Sequence, residues 1–150
     1  MTSPHFHHEK LTAYQRAIEF VAWVEGVNQE ITGRSAAKEQ LDRASTSILL
    51  NLAEGNGKRS AADRRRFFDI ARGSAVECAA CLDVFVAKNL ITRERAREGK
   101  AILHEAVAMI SGLISHFSTK IGEDAEGYGL AEFGDKETRE GDKKQDSIRP

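Results

Sequence analysis

Residues 48–60 read Ile48-Leu49-Leu50-Asn51-Leu52-Ala53-Glu54-Gly55-Asn56-Gly57-Lys58-Arg59-Ser60, an apolar run that passes into two glycines and a basic pair. The order resembles a phosphate-binding loop, but the spacing does not. That motif places a glycine five residues before its Gly-Lys pair, to turn the chain, and a Ser or Thr directly after it, to hold magnesium. Leu52 and Arg59 occupy those positions, and no buried strand precedes them. The alternative is the join between two helices, with Gly55 and Gly57 supplying positive φ where the first one stops. The fold is worked outward from that join.

Upstream, Leu41, Ala44, Ile48 and Leu52, edged by Ser45, recur at helical spacing. Arg43, Ser47, Leu50 and Glu54 fall on the opposite side, so Leu50 is an apolar residue in polar company. Ser35 is the N-cap expected for this second helix, which is read as ending near Glu54. Ahead of it, a first helix over about Lys10 to Ile31 carries two apolar rows. Leu11, Tyr14, Ile18 and Val21 are read as its core face. Phe20, Val24, Val27 and Ile31, with Trp23 beside them, form a surplus row that serves either a wider core or, with Leu50, a subunit interface.

Downstream, Ser60 with Asp63 forms a weak capping box. It opens a third helix whose row is Phe67, Ile70, Ala71, Ser74, Cys78, Cys81, Leu82 and Phe85. Thr92 caps a fourth, with Ile102, Leu103, Ala106, Met109, Ile110, Leu113, Ile114, Phe117 and Ile121 as its row and Gly99 as a gap before it. Four amphipathic helices with short joins predict an all-α, up-down-up-down antiparallel four-helix bundle over residues 1–121.

The 150 residues suit one such domain plus a tail. Net charge is −1, but residues 1–121 sum to +3 and residues 122–150 to −4. The latter segment holds five glycines before Gln145 and few apolar residues, and it reads as a flexible acidic tail. Tyr128, Leu130 and Phe133 are the exceptions that could dock on the body or on a neighbouring subunit. The start lacks a signal peptide's apolar stretch, and no apolar run approaches the roughly 20 residues that cross a bilayer. A cytoplasmic chain with no membrane contact is expected.

Constellations that carry chemistry are scarce. Cys78 and Cys81 form C-x-x-C, but mid-helix on an apolar row and without a second pair, so they read as small core residues. His5, His7 and His8 lie on a terminus expected to be mobile, and His104 and His116 stand alone. A di-iron bundle needs Glu-x-x-His on two helices, and no glutamate here has His three residues on. The expectation is no enzyme, no metal and no cofactor. The strongest charge feature is Lys58, Arg59, Arg64, Arg65, Arg66 and Arg72 against Asp63 and Asp69, a local +4 within fifteen residues. It is either a solvated helix face or a phosphate-contacting, nucleic-acid-binding patch. Three consecutive arginines span about 200° of helix and cannot all meet one ligand.

Ser47-Ile48-Leu49-Leu50-Asn51-Leu52-Ala53-Glu54-Gly55, followed by Phe67-Phe68-Asp69-Ile70-Ala71-Arg72-Gly73-Ser74-Ala75-Val76-Glu77, resembles a paired motif of one family. Its members are four-helix-bundle proteins of the 23S rRNA-intervening-sequence family, related to the accessory variability proteins of diversity-generating retroelements. The resemblance extends over most of residues 9–118. It implies a ring-forming homo-oligomer, typically a pentamer, without established enzyme activity. By analogy with the retroelement relatives, it also implies nucleic acid or a reverse-transcriptase-like protein as partner. Leu49 stands where the family usually has proline, so a straighter second helix is expected. Asn51, Glu54, Ser74 and Glu77 match polar motif positions. The physical reading is a clasp in which Asn51 and Glu54 meet Arg72 or Ser74 across the hairpin.

Overall fold

The computed structural model describes residues 6–127, so the part of the acidic tail holding Tyr128, Leu130 and Phe133 lies outside the described residues, as does His5. A 3-10 turn, His7–Lys10, leads into α1 (Thr12–Glu30), α2 (Ala36–Gly57), α3 (Ala61–Ala87) and α4 (Arg93–Gly127), and no strand occurs among the described residues. Each helix packs on its neighbour in sequence and α1 packs on α4. Neither diagonal pair brings its backbones close together.

The caps fall where hydroxyls could serve. Ser35 Oγ accepts from the Ala37 amide at 3.2 Å, Ser60 Oγ from Asp63 at 3.1 Å, and Thr92 Oγ1 from Arg95 at 3.1 Å. Each answers one of the four amides that a helix start leaves without a partner. Gly33, at φ +80, turns the chain between α1 and α2, and Lys38 Nζ clips that turn by donating to the carbonyls of Ile31 and Gly33. The core row of α2 is buried as expected: Leu41, Ala44, Ser45, Ile48 and Leu52.

On α1 the assignment of rows reverses. Phe20, Val24, Val27 and Ile31, which the sequence left as either a wider core or a subunit interface, are the monomer's own core, between 0 and 6% exposed. They continue a row begun by Ala13 and Ala17. The expected core row is only half-buried, and its Ile18 is 47% exposed. Of the five residues assigned to a subunit interface, Leu50 alone faces solvent, at 62%. On α3 six of the eight expected core residues, Ala71, Ser74, Cys78, Cys81, Leu82 and Phe85, are buried, and the difference lies between Phe67 and Ala75, where Phe68 and Ala75 enter the core, Phe67 is half-buried and Ile70 points outward.

Of the two glycines in the opening stretch Gly55 acts by size, whereas a Cβ on Gly57 would meet no atom within 4 Å. The helix runs on through Gly55 to Gly57, three residues past the expected end, and neither glycine has positive φ. A Cβ on Gly55 would lie 2.9 Å from Phe68 Cε1 and 3.0 Å from Phe67 Cβ, so the missing side chain is what lets α3 start against α2. Gly99, a gap in the α4 row, is the corresponding device between α1 and α4. A Cβ there would stand 2.4 Å from the Trp23 ring.

Two further expectations change. α4 continues to Gly127, so residues 122–127 of the supposed tail are helical. α4 is also long and apolar enough, by length and composition, to cross a membrane, with an 18-residue window of mean hydropathy 1.3. Its buried residues, from Ala96 and Leu103 through Ile110 and Ile114 to Phe117, form a single stripe in the core, as expected of a packed amphipathic helix. His7 and His8 are held in place: His7 Nδ1 lies 2.8 Å from Asn56 Nδ2, and the His8 ring packs edge-on to Tyr14 at 4.8 Å.

Candidate nucleic-acid interface

The basic run at the α2–α3 join does not form one patch, because successive side chains leave a helix about 100° apart. Arg64 turns inward. Its Nε donates to the Lys58 carbonyl at 2.7 Å and its guanidinium lies 5.3 Å from the centre of the Phe117 ring, so it ties the join to α4. Arg65 and Arg72 share one carboxylate, that of Asp69, at 3.7 and 3.2 Å. Lys58 and Arg66 gather on Phe67, at 4.9 and 5.2 Å from the ring centre. Arg59 is exposed and makes no hydrogen bond or ion pair with the described residues.

The cations with charge to spare are therefore Lys58 and Arg66, which gather on a half-buried aromatic ring near the N-terminus of α3, and Arg59, exposed in the join beside Lys58. Cation–ring contacts at such exposed sites contribute about 0.5–1 kcal/mol, enough to orient a side chain and too little to neutralise it. Arg65, Arg72 and Asp69 add a weaker net charge of +1 beside them. The grouping round Phe67 was not visible in the sequence. Its signal is the placement of Phe67 directly after Arg66, nine residues past Lys58.

The expected contacts of Asn51 and Glu54 with Arg72 or Ser74 are not made, and other polar contacts join α2 to α3. Ser47 Oγ and Ser74 Oγ lie 2.8 Å apart across the seam, and Asn51 Nδ2 donates to the Ser47 carbonyl at 2.8 Å and to its Oγ at 3.1 Å. Glu77 accepts a hydrogen bond from Gln40. Asn51, Ser74 and Glu77 thus take part through Ser47 and Gln40, which sequence reasoning missed. Glu54 is exposed without a partner among the described residues, and Arg72 stays on its own helix.

Elsewhere, Arg95 binds both oxygens of Glu30, at 2.7 and 3.2 Å, pairs with Glu98 and covers the Trp23 ring at 5.2 Å. The Arg95 hydrogen bond holds the Glu98 carboxyl below its usual range. The buried indole Nε1 of Trp23 lies near Glu98 without reaching standard hydrogen-bond geometry. Burial pushes the Cys78 thiol up to about 12 and raises Cys81 as well, so both sulfurs stay protonated and inert, as core residues should. Among the described residues no three His, Cys, Asp or Glu side chains are grouped so as to hold a metal ion.

Residues 9–112 match the family model described as 23S rRNA-intervening sequence protein. The chain belongs to that family. A crystal structure of a protein of unknown function from the S23 ribosomal protein family of Bacteroides thetaiotaomicron has the same fold. Its TM-score is 0.65 at 22% identity, over 69% of this chain and 98% of that one. No curated protein matches the chain. In this member of the 23S rRNA-intervening sequence family, α2 runs unbroken through Leu49, as the absence of proline led one to expect.

Proposed function

We propose that this chain is a non-enzymatic adaptor of the cytoplasm. It follows an up-down-up-down path, assembles with copies of itself through the outer face of α2 and α3, and holds nucleic acid by charge. The observation that carries the reading is apolar surface left without a partner. Leu50, Ile70, Val76 and Val84 are 62, 46, 60 and 41% exposed, on the two helices that also carry the family motif. Completing their burial is worth about 1 kcal/mol each, which favours a second protein surface over water. A closed ring, a pentamer by the family resemblance, would repeat Lys58, Arg59 and Arg66 on every subunit and multiply a field that one copy supplies weakly. A reverse-transcriptase-like protein is the protein partner that the resemblance suggests.

Light scattering should report a mass several times 16.6 kDa for the parent and that of a monomer for Val84→Glu with helicity retained. A parent that is monomeric at micromolar concentration removes the assembly. Binding to nucleic acid should be indifferent to sequence, with log affinity falling by about 0.9 per log unit of salt for each duplex phosphate contacted. Lys58→Gln, Arg59→Gln and Arg66→Gln together should weaken binding and flatten that slope. No association of the parent with RNA or DNA at low salt leaves the second reading, a protein-interaction module whose cations are only solvated.

A further inference from the structure

The other end of α3 carries cations that the basic run does not include. Val86 and Ala87 in its last turn, with Ala96 of α4, floor a cleft of about 390 Å³ rimmed by Arg93, Arg97, Lys100 and Asp83. Lys100 is held in place by the Asp83 carboxylate. Arg93 and Arg97, one helical turn apart, make no hydrogen bond or ion pair with the described residues. The arginine between them is fully engaged: Arg95 points to the opposite side of α4 and occupies both Glu30 and Glu98. Glu94 does not line the cleft and pairs with neither free arginine. The rim thus keeps a net charge of +2, with two guanidinium groups directed nowhere else.

We propose that this cleft is a phosphate-binding site. Arg93 and Arg97 each offer a planar fork that matches two oxygens of a phosphate. Lys100, oriented by Asp83, adds a third donor from the far rim. The site also lies at the start of a 35-residue helix. Thr92 occupies the Arg95 and Ala96 amides through its side chain and carbonyl, which leaves the amides of Arg93 and Glu94 and the positive end of the helix dipole towards an anion. The apolar floor lowers the local dielectric and strengthens these contacts relative to a flat surface. This site is separate from the cluster round Phe67, roughly 27 Å away along α3 at 1.5 Å rise per residue, and it stands or falls independently of the function proposed above. The phosphate can belong to a free anion or to a nucleic-acid backbone.

Calorimetric titration of the full chain with inorganic pyrophosphate at low salt tests the site, with a single-stranded RNA oligonucleotide as a second probe. Arg93→Gln with Arg97→Gln should reduce pyrophosphate affinity by tenfold or more, whereas Arg59→Gln with Arg66→Gln should leave it unchanged. Asp83→Asn, which removes the acid of the rim, should tighten binding several-fold, a response that a purely structural role for Asp83 would not give. RNA that weakens in parallel, with a salt slope lower by about 0.7 for each single-strand phosphate no longer neutralised, identifies the backbone as the source. RNA binding that is absent or indifferent to these changes identifies a free anion. Pyrophosphate that does not bind at millimolar concentration, or binds the double arginine variant as well as the parent, overturns the proposal.

Discussion

Gly99→Ala adds one methyl group to α4, and the structure determines its effect. The new Cβ would stand 2.4, 2.5 and 2.9 Å from three carbons of the Trp23 six-membered ring. The ring has little freedom to retreat: one neighbour is Phe20, stacked at 5.8 Å and 18°, and another is the Arg95 guanidinium, itself fixed by Glu30 and Glu98. Forcing a methylene-sized group into such a contact costs about 1–3 kcal/mol. Exchanging a mid-helix glycine for alanine returns about 0.5–1 kcal/mol. The net loss should be about 1–2 kcal/mol, a fall of several degrees in Tm for a domain of this size. Gly112 is the internal control, since it lies in the same helix and a Cβ there would meet no atom within 4 Å. Gly112→Ala should therefore raise Tm by a few degrees. Urea and thermal melts of both variants measure the two signs, and in a Trp23→Leu background the Gly99 penalty should largely vanish. A Gly99→Ala protein as stable as its parent would refute the account of the α1–α4 contact.

Val24→Glu should unfold the chain, because Val24 is 1% exposed in the core and an unpaired carboxylate there costs several kcal/mol; circular dichroism distinguishes this from the retained helicity expected of Leu50→Glu. Ser47→Ala should cost about 1–2 kcal/mol in urea melts, because it strands the Ser74 hydroxyl and removes an acceptor of Asn51, whereas Ser74→Ala should cost less, because Ser47 Oγ keeps its hydrogen bond from Asn51; the double variant should cost less than the sum. The Cys78 thiol should resist iodoacetamide at pH 8 in the native protein and react once unfolded. With its folded pKa raised from 9.0 to about 12, the native state keeps a proton that the unfolded chain releases, so this stabilisation is complete below pH 9 and is lost as pH rises towards 12. Cys78→Ala should flatten the alkaline fall of the urea midpoint.

The sequence made the helices and their starts legible because a hydroxyl before an apolar run has one economical use, which Ser35, Ser60 and Thr92 all show. It did not reveal which row of α1 is core. Large apolar residues dominate such a reading, yet the true row begins with Ala13 and Ala17, whose small side chains are buried with less apolar signal. The same holds for Gly99, a gap in the sequence and a socket for Trp23 in the structure. The basic residues were legible one by one but not as a surface. Their directions, the sharing of Asp69 by two of them and the inward turn of Arg64 depend on the helix's rotation and on side chains from other helices. Arg93 and Arg97 went unnoticed because Glu94, Arg95 and Glu98 intersperse them in sequence, and only the fold turns those charges aside.

The motif residues divide by what they do inside the chain. Ser47, Asn51 and Ser74 close the seam, and Gly55 admits Phe67 and Phe68. Glu54 and Gly73 do nothing comparable. Glu54 is exposed and unpaired among the described residues, and a Cβ on Gly73 would meet no atom within 4 Å. A glycine in the interior of an exposed helix gives up about 0.5–1 kcal/mol relative to alanine, and nothing among the described residues offsets that. The proposed assembly would supply an offset, through a surface that approaches the α3 backbone closely. Gly73 lies between Ile70 and Val76, two of the exposed apolar residues of that helix. A bare stretch of backbone flanked by apolar side chains suits close packing against another protein surface better than it suits water, and for that reason the proposed assembly is placed on α3 rather than on α1, whose surplus row is already spent on the core.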